Sequence, residues 1–317
     1  MDQQKLRTNH LENNFPNFLR VFFLHVALWI LAAIFSFATV LFASGPLRAL
    51  RLASPFWIFW PVSAAVAAAM WFFGAPIAGC AFAGVALTIG LYTDVENWGL
   101  RRGVAACVSL VALVAAVGVG FGAWCRSVKI SPITWLMQWV EPMVVKAKSV
   151  YPNLDIDVDM IVMQLPSALV VMGLMALALA VLSERTWLRF LGSQAVSDSE
   201  VQRALARKWH DFRVWDVAIF ALMLALLAAL TRHGIKSVTM AGANVLNVLV
   251  VLYFFQGMAV VFKAFDFFRV GPFWRILIAF VLTFQLAVLV ALVGVADYWL
   301  EIRNRLSSRP VGPKAEL

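Results

Sequence analysis

The sequence predicts an all-α protein of polytopic helical membrane type, with about eight transmembrane helices, an interfacial helix and a short helical polar linker. Of its 317 residues, 62% are hydrophobic and only 14% are charged, whereas soluble domains carry about 25% charged residues. The apolar stretches run unbroken for about twenty residues, the length that a helix needs to cross about 30 Å of hydrocarbon. A membrane β-barrel would instead alternate polar and apolar residues in segments of about ten.

Five spans are predicted in the first half of the chain. A polar N-terminal segment, residues 1–20, precedes a first helical bundle formed by residues 21–182. Within that bundle, the charge-free stretch 56–92 is too long for one crossing at about 1.5 Å per residue. Its Gly74-Ala75-Pro76 sequence therefore predicts a hairpin of two helices, with a re-entrant pair as the alternative. The other predicted spans are residues 21–43, 103–124 and 161–182.

Residues 132–151 differ from the spans because they mix aromatic and charged side chains. Trp135, Trp139 and Met143 recur at helical spacing among residues such as Glu141 and Lys146. This pattern is typical of a helix that lies in the membrane interface. Pro142 is expected to kink or divide it.

An acidic segment follows, in which Asp155, Asp157 and Asp159 alternate with apolar residues. Three carboxylates on one side of an extended chain resemble a cation site. A calcium loop, however, needs a glycine at its sixth position and a later acidic ligand, whereas here Met160 opens a membrane span. The sequence therefore favours a solvated acidic loop, and no metal or other cofactor is predicted.

A basic polar linker, residues 183–213, separates the first bundle from the last three spans. Ser197 and Glu200 form a capping-box pattern that predicts a short helix in this linker, either lying on the membrane surface or docking a protein partner. The last three spans occupy 214–300, and a polar tail, 301–317, ends the chain. With eight spans, 13 Lys and Arg residues fall on each side, so the positive-inside rule gives no orientation. The spans within 214–300 are about 214–231, 240–262 and 272–298.

Four polar residues in these last spans are the candidate functional side chains. Asn244, Asn247 and Gln256 share one span, and Asp297 ends another beneath a stripe of small residues. An unpaired amide is costly in hydrocarbon, so each must face protein or a water-filled cavity. Two interpretations follow: hydrogen bonds between helices, or a solute-binding site. Two kinds of partner are open to Asp297: a basic residue from another loop, or Arg101 or Arg102.

The second half of the chain also resembles a known family. The similarity is clearest between Trp209 and Leu306. The motifs that carry it are Leu246-Asn247-Val248, Gln256-Gly257, Trp274, Gly294-Val295-Ala296-Asp297-Tyr298-Trp299, Arg303 and Arg305. These residues resemble the YybS-like family of uncharacterised bacterial multi-pass membrane proteins. That family is distantly similar to the substrate-binding membrane subunits of energy-coupling-factor transporters, and the resemblance implies a solute-binding helical bundle.

Two functions are compatible with this sequence. The first is a non-enzymatic small-solute-binding or permease-like subunit that uses Asn244, Asn247, Gln256 and Asp297. The chain contains no P-loop, so energised transport would require a separate ATPase. The alternative is a membrane scaffold that recruits other membrane proteins through the interfacial helix and the basic linker.

Other functions are not indicated. An enzyme is not predicted, because His25 is the one histidine within a predicted span and no nucleophile with its base is recognisable. The net charge of +9 is scattered over loops and tails, which predicts contact with the lipid bilayer and no nucleic-acid partner. The family resemblance and the absence of a eukaryotic sorting signal predict a bacterial cytoplasmic (inner) membrane location.

Overall fold

The structure is a computed structural model in which every regular element of the described residues is a helix, as the sequence predicts. These residues form two compact units. The first comprises the residues up to Pro132 and those of 172–191, and the second comprises Ile133–Val171 and the residues after 211. The structure describes residues 22–36, 40–151, 157–191, 212–231 and 236–308.

The helices are numbered along the chain, and the long helix α7 contributes to both units. In the first unit, a 3-10 turn at Val40–Ala43 leads directly into α2. The first unit contains α1 (Phe22–Ser36), α2 (Ser44–Ala53), α3 (Phe56–Phe72), α4 (Pro76–Asn97), α5 (Arg102–Val128) and the later part of α7 (Val158–Leu191). The second contains α6 (Pro132–Val150), the start of α7, α8 (Val217–Leu230), α9 (Lys236–Phe267), α10 (Pro272–Gln285), α11 (Ala287–Leu300) and α12 (Ile302–Ser308).

The hairpin of α3 and α4 lies at the centre of the first unit. Gly74 turns the chain with a φ of 82°, a conformation that suits a residue without a Cβ, and Pro76 occupies the first turn of α4. Helix α4 contacts α2, α3 and α5. Gly90 of α4 lies against Phe59 and Trp60 of α3, where a Cβ would collide with both rings. The predicted division of residues 56–92 into two helices is confirmed.

Helix α9 is the central element of the second unit. It packs against α8, where Gly242 lies against Ala225 and Ala228. It also packs against α11, where Gly257 and Gly294 bring the two backbones so close that a Cβ on either glycine would overlap the other helix. Small residues allow such close approach where lipid supplies no hydrophobic drive. The α8–α9 core contains Val214, Ala218, Ile219, Ala225, Leu249 and Tyr253.

Helix α7 is longer than the predicted span 161–182. It continues helically to Leu191, and one face of this extension packs on the protein. Glu184 and Leu188 are buried, and Trp187 packs against the core of the first unit. The linker therefore begins later than the sequence predicts. The predicted capping box at Ser197 and Glu200 lies outside the described residues.

Helix α6 corresponds to the predicted interfacial helix. It runs from Pro132 to Val150 without a break, so Pro142 does not divide it, and the expected kink stays a prediction. Val144 is its one buried residue, and the indole rings of Trp135 and Trp139 lie 5.5 Å apart. An amphipathic helix with so little burial exposes nearly all of its surface to lipid, water or another protein.

All eight predicted spans contain apolar helix. Among the residues that the structure describes, four helices, α4, α5, α7 and α9, are long and apolar enough to cross a membrane, and the pair α10–α11 makes up to five. Helices α1, α3 and α8 are apolar but shorter. Whether those three also cross the membrane stays a prediction.

The last predicted span is not one straight helix. Leu286 leaves the helical conformation (φ −125°, ψ 24°), and α10 and α11 meet there at 99°. The predicted stripe of small residues is consequently divided between two helices. Ala291 and Gly294 are buried in the contact of α11 with α9, whereas Ala287 is exposed and Thr283 belongs to α10.

Substitution of Gly294 by alanine tests the close contact of α9 and α11. The added methyl group must push the helices apart, so Gly294→Ala should lower the free energy of unfolding by about 1–3 kcal/mol. Gly118→Ala is the matched control, because nothing lies within 4 Å of a Cβ at that helical glycine. Denaturant titration in mixed micelles should find the control unchanged or slightly stabilised. Equal effects of the two substitutions would contradict the close contact.

Candidate functional site

The side chain of Asn244 bonds to α7 in the turn that contains Pro166. Its Oδ1 accepts a hydrogen bond from the Ser167 N–H at 3.2 Å, and its Nδ2 donates to the Met163 carbonyl at 2.9 Å. In a regular helix those two backbone groups bond to each other. Because a proline inside a helix disturbs the bonds of its turn, the amide offers these two backbone groups a partner beside Pro166.

Asn247 lies one turn further along α9 and bonds the same part of α7. Its Nδ2 donates to the Ser167 hydroxyl at 3.2 Å, and that hydroxyl in turn donates to the Gln164 carbonyl at 2.8 Å. The two predicted asparagines therefore meet at Ser167. Together they connect α9 to the start of α7.

Gln256 is 1% exposed, and both ends of its carboxamide are bonded to other segments of the chain. Its Oε1 accepts from the Val214 N–H at 2.9 Å, in the non-helical segment that leads into α8. Its Nε2 donates to the Gly294 carbonyl at 3.0 Å and reaches Asp297 Oδ2 at 3.4 Å. One buried side chain thus holds α9, α11 and the start of α8 together.

Asp297 pairs with Arg303, six residues further along the chain. The carboxylate accepts from Arg303 Nη2 at 2.7 Å and from Nε at 2.8 Å, and the guanidinium also donates to the Phe212 carbonyl at 2.6 Å. Glu301 makes this possible, because its left-handed conformation (φ 45°) turns the chain back at the end of α11. The expected pairing of Asp297 with Arg101 or Arg102 is therefore wrong. Arg102 bonds Glu96 instead.

The four predicted residues thus form two groups, and Asn247 and Gln256, the nearest members of the two groups on α9, are about 13 Å apart along the helix by its rise per residue. Asn244 and Asn247 contact α7. Gln256 and Asp297 contact each other, and Gln256 also bonds the Val214 N–H while Asp297 pairs with Arg303. Every one of the four has a partner in the protein. Their arrangement supplies hydrogen bonds between helices, which is the first of the two interpretations that the sequence leaves open.

A second polar cluster, which sequence reasoning missed, lies in the first unit. Arg48 of α2 is fully buried and donates to Glu96 of α4 at 2.7 Å and to Glu184 of α7 at 3.2 Å. Its guanidinium also lies 4.9 Å from the centre of the Tyr92 ring. Arg48 therefore joins three helices through charged contacts, which are stronger than neutral hydrogen bonds.

Arg51, one turn after Arg48, forms the other half of this cluster. It pairs with Asp94 of α4, and Asp94 also accepts from the Trp60 indole N–H of α3 at 3.2 Å. Burial opposes the charge of Arg48, but the carboxylates of Glu184 and Glu96 outweigh it, so the pKa of its guanidinium is raised above the ordinary value. Arg48 is therefore charged within this cluster.

The sequence placed these charges in loops between spans. They are instead inside helices, since α4 continues to Asn97 and α7 to Leu191. One signal was present in the sequence. Arg48 and Arg51 are three residues apart and share a helix face, and the carboxylates of Asp94, Glu96 and Glu184 follow two other apolar runs. Buried charges need partners of opposite sign, so these two arginines and three carboxylates could have predicted the ion pairs.

The acidic segment before α7 is only partly described. Asp157 Oδ1 accepts from the Asp159 N–H at 3.0 Å, as a capping residue does at a helix start, and Asp159 pairs with Lys236 at 3.3 Å. Asp155 lies outside the described residues. Within the described residues, no three His, Cys, Asp or Glu side chains come together in a group that could hold a metal ion.

Comparison with known proteins identifies one family. A family model described as "Predicted membrane protein (DUF2232)" matches residues 20–298, nearly the whole chain. This match confirms a family of uncharacterised membrane proteins and is consistent with the YybS-like resemblance of the sequence. No curated protein and no solved structure matches the chain.

The contact of Asn244 with the Pro166 turn can be tested by a double-mutant cycle. Asn244→Leu should lower the free energy of unfolding by about 1–3 kcal/mol, because it leaves the Met163 carbonyl and the Ser167 N–H without this partner. In a Pro166→Ala background, α7 can close its own bond, and Asn244→Leu should cost at least about 1 kcal/mol less. Equal costs in both backgrounds, measured by denaturant titration in micelles, would disprove the proposed role of Asn244.

Proposed function

The chain belongs to the DUF2232 family of predicted membrane proteins, and from this premise we propose that it acts as a non-enzymatic membrane scaffold. In this role it recruits other membrane proteins through the exposed surface of α6. We place it in the bacterial inner membrane, in agreement with the family resemblance. The observation that carries the proposal is that the polar side chains of α9 and α11 make hydrogen bonds to other segments of the protein.

These polar side chains were the best candidates for a solute site. A solute-binding amide needs donors and acceptors directed into a cavity, where the ligand satisfies them. Gln256 instead has both ends of its amide bonded to Val214 and Gly294. Such bonds between helices are worth about 0.6 kcal/mol each on average in membrane proteins. This bonding favours a structural role for the polar groups over a ligand-binding one.

Helix α6 supplies the surface that a scaffold requires. It is 19 residues long with one buried residue, and it presents Trp139 and Met143 together with charged side chains. Aromatic residues and methionine are enriched at protein interfaces, and both adapt to a flat partner surface. A partner helix in the membrane interface fits this chemistry.

A permease-like subunit is the second candidate function, and the break at Leu286 favours it. Discontinuous helices are common in transporters, where the ends of the half-helices face the solute. The 99° bend between α10 and α11 is a feature of that kind. In this alternative, Asn244, Asn247, Gln256 and Asp297 remain the candidate solute contacts, and a separate ATPase supplies the energy.

Site-specific photo-crosslinking in living cells separates the scaffold from its alternative. A photoreactive residue placed at position 139 or 143 of α6 should capture one protein partner. The control positions are Phe220 and Leu224 on α8, which are exposed to a similar extent and should capture lipid. The partner should also be lost on purification of the Trp139→Ser/Met143→Ser double variant. Capture of lipid alone at α6, or of the same proteins at both helices, would argue against the scaffold.

The same purified protein tests the second candidate function. Mass spectrometry of small molecules released from the parent should find no solute that disappears in Asn247→Leu. A solute that is present in the parent and lost in Asn247→Leu, with the melting temperature of the variant unchanged, would support the permease-like subunit instead. An unchanged melting temperature is the decisive control, because loss of a structural hydrogen bond lowers it.

A further inference from the structure

An open cleft of about 330 Å³ lies in the second unit, where α9 ends and α11 turns into α12. Its volume is near the lower end of the range for small-ligand sites, about 300–1,000 Å³. Five of the six lining side chains are apolar, and the sixth is an arginine. The lining residues are Phe267, Phe268, Leu300, Ile302, Arg305 and Leu306.

The surroundings of this cleft are positively charged. Residues 263–275 and 297–306 together contain five basic and three acidic residues, an excess of two positive charges. Ion pairs join Arg275 to Asp266 and Arg303 to Asp297. Arg305 lines the cleft itself, and the other two basic residues are Lys263 and Arg269.

The position of the cleft along α9 indicates the level of the lipid headgroups. Helix α9 is 32 residues long and apolar enough to cross a membrane, and the cleft lies at its C-terminal end. Exposed aromatic side chains surround that end, as they do at membrane–water interfaces. These include Phe268, Phe273, Trp274 and Trp299.

The mixed lining determines what can bind. A free phosphate ion would lose hydration against five apolar side chains and gain one guanidinium, which is an unfavourable exchange. A neutral lipid would bring no negative charge to this positively charged region. An anionic phospholipid matches both the charged and the apolar side chains of the lining. Its phosphate pairs with a guanidinium in two-point geometry, and its glycerol and acyl carbons cover the apolar wall.

We propose that this cleft binds the headgroup of an anionic phospholipid. The Arg305 guanidinium contacts the phosphate, and the acyl chains run over Phe267 and Phe268 into the bilayer. Arg275 stabilises the turn that follows α9 beside the cleft. It donates to the Val270 carbonyl at 2.7 Å and pairs with Asp266, and these bonds hold the turn that carries Phe268 and Arg269.

Native mass spectrometry of the full chain tests this lipid site. The purified protein is mixed with equal amounts of phosphatidylglycerol and phosphatidylcholine that have the same acyl chains. The parent should retain phosphatidylglycerol preferentially, and Arg305→Gln should reduce that retention about fivefold, the effect of one arginine at a charged membrane surface. Arg305→Lys, which keeps the charge but loses the two-point contact, should reduce that retention less than Arg305→Gln does. Equal retention of the two lipids by the parent would overturn the proposal.

Arg126→Gln is the matched control, since Arg126 is also exposed and lies at the end of another long apolar helix, α5. It should leave lipid retention unchanged, and an effect equal to that of Arg305→Gln would overturn the proposal. Phe268→Ala removes a ring that is 69% exposed, so it should weaken retention of both lipids without unfolding the protein. Unchanged retention in Phe268→Ala and Arg305→Gln would also overturn it. Displacement of the lipid by inorganic phosphate alone would identify a phosphate site instead.

Discussion

Hydrocarbon offers no hydrogen bonds, so every polar group inside a membrane protein needs a partner in the protein or in a water-filled cavity. The second unit depends on this constraint. Pro166 lies inside α7, and the amide of Asn244 bonds the backbone groups on either side of it. The segment before α8 leaves the Val214 N–H outside any helix, and Gln256 satisfies it. In both places a side chain of α9 completes the backbone bonding of a neighbouring segment.

The first unit meets the same constraint with charges. Arg48 is buried completely, which is costly for a guanidinium unless carboxylates and a ring face surround it. Glu96, Glu184 and Tyr92 provide those contacts from two other helices. Removal of one charged partner from such a network costs more stability than the intact network contributes, because the remaining charge stays buried without a partner. The cluster therefore specifies one arrangement of α2, α4 and α7.

Much of the fold could be predicted, because its signals are local. Apolar runs of about twenty residues identified the helices, and Gly74-Ala75-Pro76 identified a turn because each residue has a conformational preference of its own. The break at Leu286 had no such signal, since neither glycine nor proline marks it. The pairing of Asp297 with Arg303 also escaped prediction. It depends on the left-handed conformation of Glu301, a residue type that rarely adopts it.

The candidate site was predictable in part. The cost of a buried amide singled out Asn244, Asn247 and Gln256, and each does make bonds that a membrane helix requires. The sequence could not choose between a protein partner and a solute, because that choice depends on which neighbour faces each amide. Only the three-dimensional arrangement brings Gln256 to Val214, which is 42 residues away along the chain.

The buried amides of α9 bond other segments of the protein, and amide hydrogen exchange at the Val214 N–H in detergent micelles measures one of these bonds. Exchange should be slow in the parent and at least about fivefold faster in Gln256→Met, which keeps the length of the side chain but loses an acceptor worth about 1 kcal/mol. Equally fast exchange of Val214 in both proteins would show that the carboxamide is not bonded to that backbone group.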